Sequence, residues 1–272
     1  MKKSVEKFIS PLVFRFSNNL FLLWLIILPA TGQNSNKDFI YPVNHNLFET
    51  GYSHPQNINS QCQLKIIAFG NSTTAERATI KQVYTQRLPG LLTACSIEAV
   101  VINRGVGGSH TGHLKDNDHH IVQHALDRFQ YEVLDEDPDI VIMQFGINDS
   151  YVDSDDPEGP SRIPVKKFRR NMIFMINKLR SSGIRVILLT PNAFGTNRES
   201  WRHKRLEEYV EVIRDLAKKN SIPFIDVYSL YIEYGNSPNR QVDDLLLDGV
   251  HPNDRGHEIL AEKLTEMICA MF

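Results

Sequence analysis

The chain has 272 residues, 42% of them hydrophobic and 23% charged. That is ordinary globular material, enough for one large α/β domain and short for two. A formal net charge of -2 provides no basic field for a phosphate backbone, so the composition argues against nucleic-acid binding.

Lys2, Lys3 and Lys7 precede the apolar run Leu20–Leu28, which is followed by Pro29-Ala30-Thr31-Gly32. A basic start, a short apolar core and small residues outline a secretory signal peptide over residues 1–32, cleaved ahead of Gln33. The core is short for a permanent bilayer span, and an uncleaved signal anchor is the alternative. No cysteine follows the apolar run, so a lipoprotein anchor is not indicated. The expectation is an exported protein, secreted or periplasmic, with no stable membrane association after cleavage. Residues 33–61, rich in Asn, Ser, Pro and His without a period, read as an irregular lead-in to a domain over 62–272.

Export permits disulfides, and there are three cysteines, Cys62, Cys95 and Cys269. Cys62 and Cys95 each precede a candidate strand, so a Cys62–Cys95 bridge is one expectation and buried free thiols the other.

From Leu64 onward the pattern is regular. Strand-length apolar runs occur at Leu64–Phe69, Ala99–Ile102, Ile140–Phe145, Arg185–Thr190 and Pro223–Val227. Helix-like stretches alternate with them at Ile80–Thr93, His119–Leu134, Val165–Ser181, Trp201–Asn220 and Asp254–Met271. Strands apolar almost throughout, each followed by a helical pattern, predict a mostly parallel sheet covered on both faces, a doubly wound α/β sandwich. Such sheets gather their chemistry in the loops past the C-terminal strand ends.

Those loops carry small and polar groups in order: Gly70-Asn71-Ser72, then Asn103 to Thr111, then Gly146-Ile147-Asn148-Asp149, and finally Asp248-Gly249-Val250-His251. A serine hydroxyl needs a base in hydrogen-bond reach and a third group to orient that base. His251 can take the Ser72 proton while Asp248 holds the other ring nitrogen. An oxyanion formed by attack on an ester would need fixed donors, which the Ser72 and Gly108 backbone N–H groups and the Asn148 side chain can provide. Each block alone also reads as a turn or a cap, since Gly, Asn, Asp and Ser favour both.

Together and in this order, the four blocks resemble those of the SGNH or GDSL hydrolases, from about Leu64 to the C-terminus. The resemblance implies Ser72 as nucleophile, Gly108 and Asn148 with the Ser72 N–H in the oxyanion hole, and Asp248 with His251 completing the triad. It also implies a flavodoxin-like three-layer sandwich with strand order 2-1-3-4-5, no metal and no organic cofactor. Asn71 stands where the family usually has Asp; an amide can still accept a hydrogen bond and hold the turn. Two sequons, at Asn71 and Asn148, fall inside these blocks and read as chance matches.

The segment from Tyr151 to Arg170 is charged rather than apolar, which argues against an acyl groove. Within it Arg162, flanked by prolines, is a candidate substrate contact, as is His110 directly after the oxyanion loop. The other histidines, His113, His119, His120 and His124, read as polar cleft or surface residues. The "GNSTT" block and the loops after it are similar to the carbohydrate-acetylesterase branch, including rhamnogalacturonan and xylan acetylesterases. The resulting expectation is a serine esterase removing short O-acyl groups from carbohydrate. Two alternatives stay open: a lysophospholipase or thioesterase on the same fold, and a catalytically impaired carbohydrate-binding protein.

Overall fold

A computed structural model describes residues 63–154 and 156–272. The expected signal peptide and lead-in, and Cys62, lie outside the described residues.

Five strands form one sheet: β1 Leu64–Gly70, β2 Ala99–Gly105, β3 Ile140–Gln144, β4 Arg185–Leu189 and β5 Phe224–Ile225. All neighbours are parallel and the order is β2-β1-β3-β4-β5. The helices, in chain order, are α1 Tyr84–Leu92, α2 Ala125–Phe129, α3 Ile147–Ser150, α4 Val165–Ser181, α5 Ser200–Asn220, α6 Val227–Gly235 and α7 Asp254–Cys269.

Strand side chains alternate faces, and because both faces are covered, most positions are apolar, the exceptions lying near strand ends at Lys65, Asn103, Arg104, Gln144 and Arg185. Ile66, Ala68 and Ile142 point into a cluster with Leu88 of α1, Tyr231 of α6 and Leu264 of α7. Ile67, Phe69 and Met143 point into a second cluster with Phe129 of α2, Met172 of α4 and Ile213 of α5. Each buried Ile, Leu, Phe or Met of these clusters contributes about 1.5–3 kcal/mol of hydrophobic stabilisation, so this core determines where the loops stand. The register places Gly70 opposite both Gly105 and Gln144. The C-terminal ends of β1, β2 and β3 are therefore level, and the loops that follow them share one edge.

Three features depart from expectation. First, α1 begins at Tyr84 instead of Ile80, and the Lys81 and Gln82 N–H groups ahead of it donate to the Asp254 carboxylate at the head of α7, at 3.0 and 3.3 Å. Second, residues 119–124 are not helical. The Asp127 carboxylate accepts from the N–H of His124 (3.0 Å) and of Leu114 (2.8 Å), which caps α2 at Ala125 and ties the preceding loop to it. Third, the disulfide joins Cys95 to Cys269, not to Cys62. α1 and α7 pack side by side on one face and both run back toward the N-terminal edge of the sheet. A 3-10 turn, Thr93–Cys95, extends α1 to Cys95, which meets Cys269, the last residue of α7, there with Cα atoms 6.0 Å apart.

Candidate active site

Ser72 lies in the first turn past β1, and Asn71 builds that turn. The Asn71 Oδ1 accepts from both the N–H and the hydroxyl of Thr73, each at 2.9 Å, while its carbonyl accepts from the Thr74 and Ala75 N–H groups at 3.1 and 3.0 Å. This is an Asx-type turn, and the amide oxygen supplies all the acceptor capacity it uses. From below, the buried Arg128 donates to the carbonyls of Gly70 and Arg104, both at 2.7 Å, clamping the ends of β1 and β2. The Ser72 hydroxyl thus stands on a braced loop at the rim of the sheet.

The last block folds on itself. Asp248 Oδ1 accepts from the N–H groups of Val250 (3.0 Å) and His251 (2.9 Å), and the Leu247 N–H donates to the His251 carbonyl at 2.8 Å. Gly249 adopts φ +79°, a left-handed conformation that favours glycine, and a Cβ there would displace the Asn197 amide. This short turn leaves Asp248 Oδ2 against His251 Nδ1 at 2.7 Å and aims Nε2 at the Ser72 hydroxyl, 3.1 Å away. Burial holds the His251 pKa below the ordinary imidazole value, outweighing the support of Asp248, and the Arg77 and Arg198 charges lower it further. Burial would raise the Asp248 carboxyl, but the His251 N–H and ring outweigh that and hold it low. The result is a neutral imidazole whose Nδ1–H is directed to a carboxylate, leaving Nε2 free to accept a proton from Ser72.

The remaining two loops bring donors. Val106 to Ser109 form a turn closed by the Ser109 N–H on the Val106 carbonyl at 3.1 Å, with Gly108 at φ +75°. A Cβ on Gly108 would lie 2.6 Å from the His120 ring, so the backbone approaches closely there. Asn148 anchors one amide hydrogen on the Ser109 carbonyl at 2.9 Å and keeps a second hydrogen for another acceptor. Asp149, fully buried, accepts from the Thr111 N–H (2.8 Å) and hydroxyl (2.5 Å) and from the Gly146 N–H (3.2 Å), locking the second block to the third. Burial raises its pKa to about 6 despite those donors. Both sequon asparagines, Asn71 and Asn148, are buried.

These loops enclose a cleft of about 410 Å³ lined by Ser72, Gly108, Asn148 and His251 and walled by Tyr151, Arg162, His119 and His120. A hollow of about 460 Å³ lies at the opposite edge of the sheet, among Ile184, Val186 and Met271, away from these groups. Arg162 does line the cleft, but Asp153 holds its guanidinium at 2.8 and 2.6 Å and Tyr151 stacks on it. His110 does not line it. Its ring is buried, stacked on His124 with centroids 3.4 Å apart, and contacts the Asn117 carbonyl at 3.1 Å, so it supports the loop from inside. Burial pushes its pKa down to about 4. Two lining residues were not read from the sequence, Arg77 and Arg198. Arg77 follows Ser72 by five positions, a local cue; Arg198 is brought in from the loop after β4 by folding alone.

The sequence model of the GDSL-like lipase/acylhydrolase family matches residues 68–259. The chain is 25% identical over 229 residues to an uncharacterized lipoprotein, YqeF, of Bacillus subtilis, covering 74% of this chain and 88% of that one. It is 24% identical over 181 residues to an acetylxylan esterase of Geobacillus stearothermophilus, covering 65% and 77%. Among solved structures, a lipase/acylhydrolase from Enterococcus faecalis superposes with a TM-score of 0.62 at 30% identity, covering 77% of this chain and 97% of that one. By sequence and by fold, the chain belongs to the GDSL-like lipase/acylhydrolase family and is a serine ester hydrolase of the SGNH type.

Proposed function

We propose that this hydrolase removes short O-acyl groups, acetyl above all, from carbohydrate outside the cytoplasm, with Ser72, His251 and Asp248 as its triad. The observation that carries the reading is the continuous hydrogen-bonded relay from Asp248 through His251 to Ser72 at the cleft floor. His251 Nε2 takes the hydroxyl proton as Ser72 Oγ bonds to the acyl carbon. The carbonyl oxygen becomes an oxyanion, met by the N–H groups of Ser72 and Gly108 and the second amide hydrogen of Asn148. Collapse breaks the bond to the sugar oxygen, which leaves with the proton held on Nε2. Water then gives a proton to Nε2 and attacks the acetyl-enzyme; the Oγ–carbon bond breaks, the proton returns to Ser72, and acetate departs.

Short acyl preference is supported by a cleft walled with arginine and histidine side chains instead of an apolar channel. A relative that acts on acetylxylan supports the carbohydrate class. Export is supported by the Cys95–Cys269 disulfide, a bond that persists in oxidising compartments.

The test is hydrolysis of p-nitrophenyl acetate, butyrate and octanoate by wild type and Ser72→Ala, followed by acetate release from acetylated xylan. Rates falling with chain length, and falling at least about 10³-fold in Ser72→Ala, are expected. Rates rising with chain length would instead favour a lysophospholipase or thioesterase. Glycan binding without turnover would favour an impaired binding protein.

A further inference from the structure

Two arginines of the cleft have no carboxylate partner among the described residues. Arg77, from the loop after β1, approaches only the Ser72 carbonyl, at 3.4 Å. Arg198, from the loop after β4, approaches only the Asp248 carbonyl, at 3.3 Å, and its buried Nε has no protein acceptor. Arg162, Arg169 and Arg214 are each paired with a carboxylate, of Asp153, Asp215 and Asp226, whereas Arg205 finds only carbonyl and hydroxyl acceptors. The chain's overall charge is slightly negative, so an unpaired cationic wall is not a by-product of a basic surface.

Their position makes this costly for a neutral ester. Both charges act on His251, and the reaction requires that ring to become a cation. Partly desolvated guanidinium groups beside a developing imidazolium oppose the step, unless the substrate brings a compensating negative charge. Guanidinium is also the side chain best suited to planar, bidentate recognition of a carboxylate. We infer, on the footing of the deacetylase reading above, that the enzyme's substrate is an acidic carbohydrate, one whose acylated sugar or its neighbour carries a carboxylate held by Arg77 and Arg198.

The test compares acetate release from O-acetylated trigalacturonate and from its carboxyl-reduced counterpart, which keeps the sugar and acetyl groups and loses the charge. Wild type should favour the acidic substrate by at least about tenfold in kcat/KM at low salt. The preference should shrink as salt is raised, since exposed charges are screened over about 10 Å at 0.1 M. In the double variant R77Q/R198Q the ratio should fall to within about twofold of one, and R77K/R198K should restore part of it. A wild-type ratio near one, or a ratio unchanged in R77Q/R198Q, overturns the inference. Uniform loss on both substrates in R77Q/R198Q also overturns it, by assigning the arginines to the oxyanion instead of the carboxylate. Binding to Ser72→Ala by calorimetry separates the two readings: if no ester is turned over, the deacetylase reading fails, while a preference for the acidic trisaccharide still reports on the arginines.

Discussion

Asn71 is the residue at which this chain departs from the usual family block, and its geometry says what substitution should do. Its Oδ1 is the acceptor for two Thr73 donors, both at 2.9 Å, in a turn where Asn71 and Thr73 are each only 1% exposed. Asn71→Ala leaves the Thr73 N–H and hydroxyl in a dry site, although the hydroxyl can still turn to Gln144 Oε1, now at 3.3 Å. A buried donor without an acceptor costs about 1–3 kcal/mol, and with the hydroxyl re-paired only the Thr73 N–H is stranded, so the turn should lose about 1–3 kcal/mol. For a domain of this size that lowers Tm by roughly 2–12 °C. The turn carries Ser72, whose hydroxyl must stay 3.1 Å from His251 Nε2, so kcat should fall about 10²-fold with KM less affected. Asn71→Asp presents the same oxygen to the same donors, and kcat/KM should stay within about tenfold of wild type. Thermal melts and p-nitrophenyl acetate kinetics on both variants check this. An Asn71→Ala protein with wild-type Tm and rate would refute the account of the turn. A gain of several orders of magnitude in Asn71→Asp would show that the natural enzyme is impaired by its amide.

In the proposed mechanism the neutral form of His251 is the base, and its pKa is held below the ordinary value, so kcat/KM should rise with pH along an acid limb centred below 6.5. In R77Q that limb should move upward; a limb at or above 6.5 in wild type contradicts the assignment. The Cys95–Cys269 bridge closes 174 positions of chain, for which loop closure contributes about 5 kcal/mol, so the C95S/C269S protein should melt roughly 10–20 °C lower. Peptide mapping of unreduced protein should find Cys95 linked to Cys269, and a free Cys95 would refute it. Burial depresses His257 to about 4. The unfolded chain therefore binds the extra proton first, and stability is lost as pH falls from about 6.5 to about 4, by on the order of 3 kcal/mol for this ring. Asp149, raised to about 6, acts in the opposite sense over the lower part of that range. Urea titrations of wild type and His257→Gln isolate the histidine: the variant should lose less stability on acidification, and parallel curves would contradict the burial argument.

The sheet was legible because each strand is an apolar run broken only near its ends, as two-sided burial requires, and because helices follow each run. The expected span of α4 matches the structure residue for residue, and α5 differs by one residue. Ser72, Asn148, Asp248 and His251 were legible because their blocks are local turn chemistry: Asn71 and Asp248 bond to backbone groups two or three residues away, so a few consecutive residues encode the geometry. α6 was not read, although Asp226 caps it through the Ser229 N–H, because its tyrosines and leucine also suit a strand.

What the sequence by itself determined, then, was everything set within a turn or one period of the chain: the strands, their order of chemistry, and the polar groups at their ends. Only tertiary structure decided the rest. Cys95 found Cys269 because two helices share a face and end at the same edge. His110 went into the interior because His124 offered a ring to stack on. Asp254, from the far end of the chain, tied down the segment ahead of α1 by accepting from the Lys81 and Gln82 N–H groups. Arg198 arrived beside His251 from a loop some fifty residues away in sequence. In each case the partner is chosen by which surfaces pack together, and no local pattern of residues carries that information.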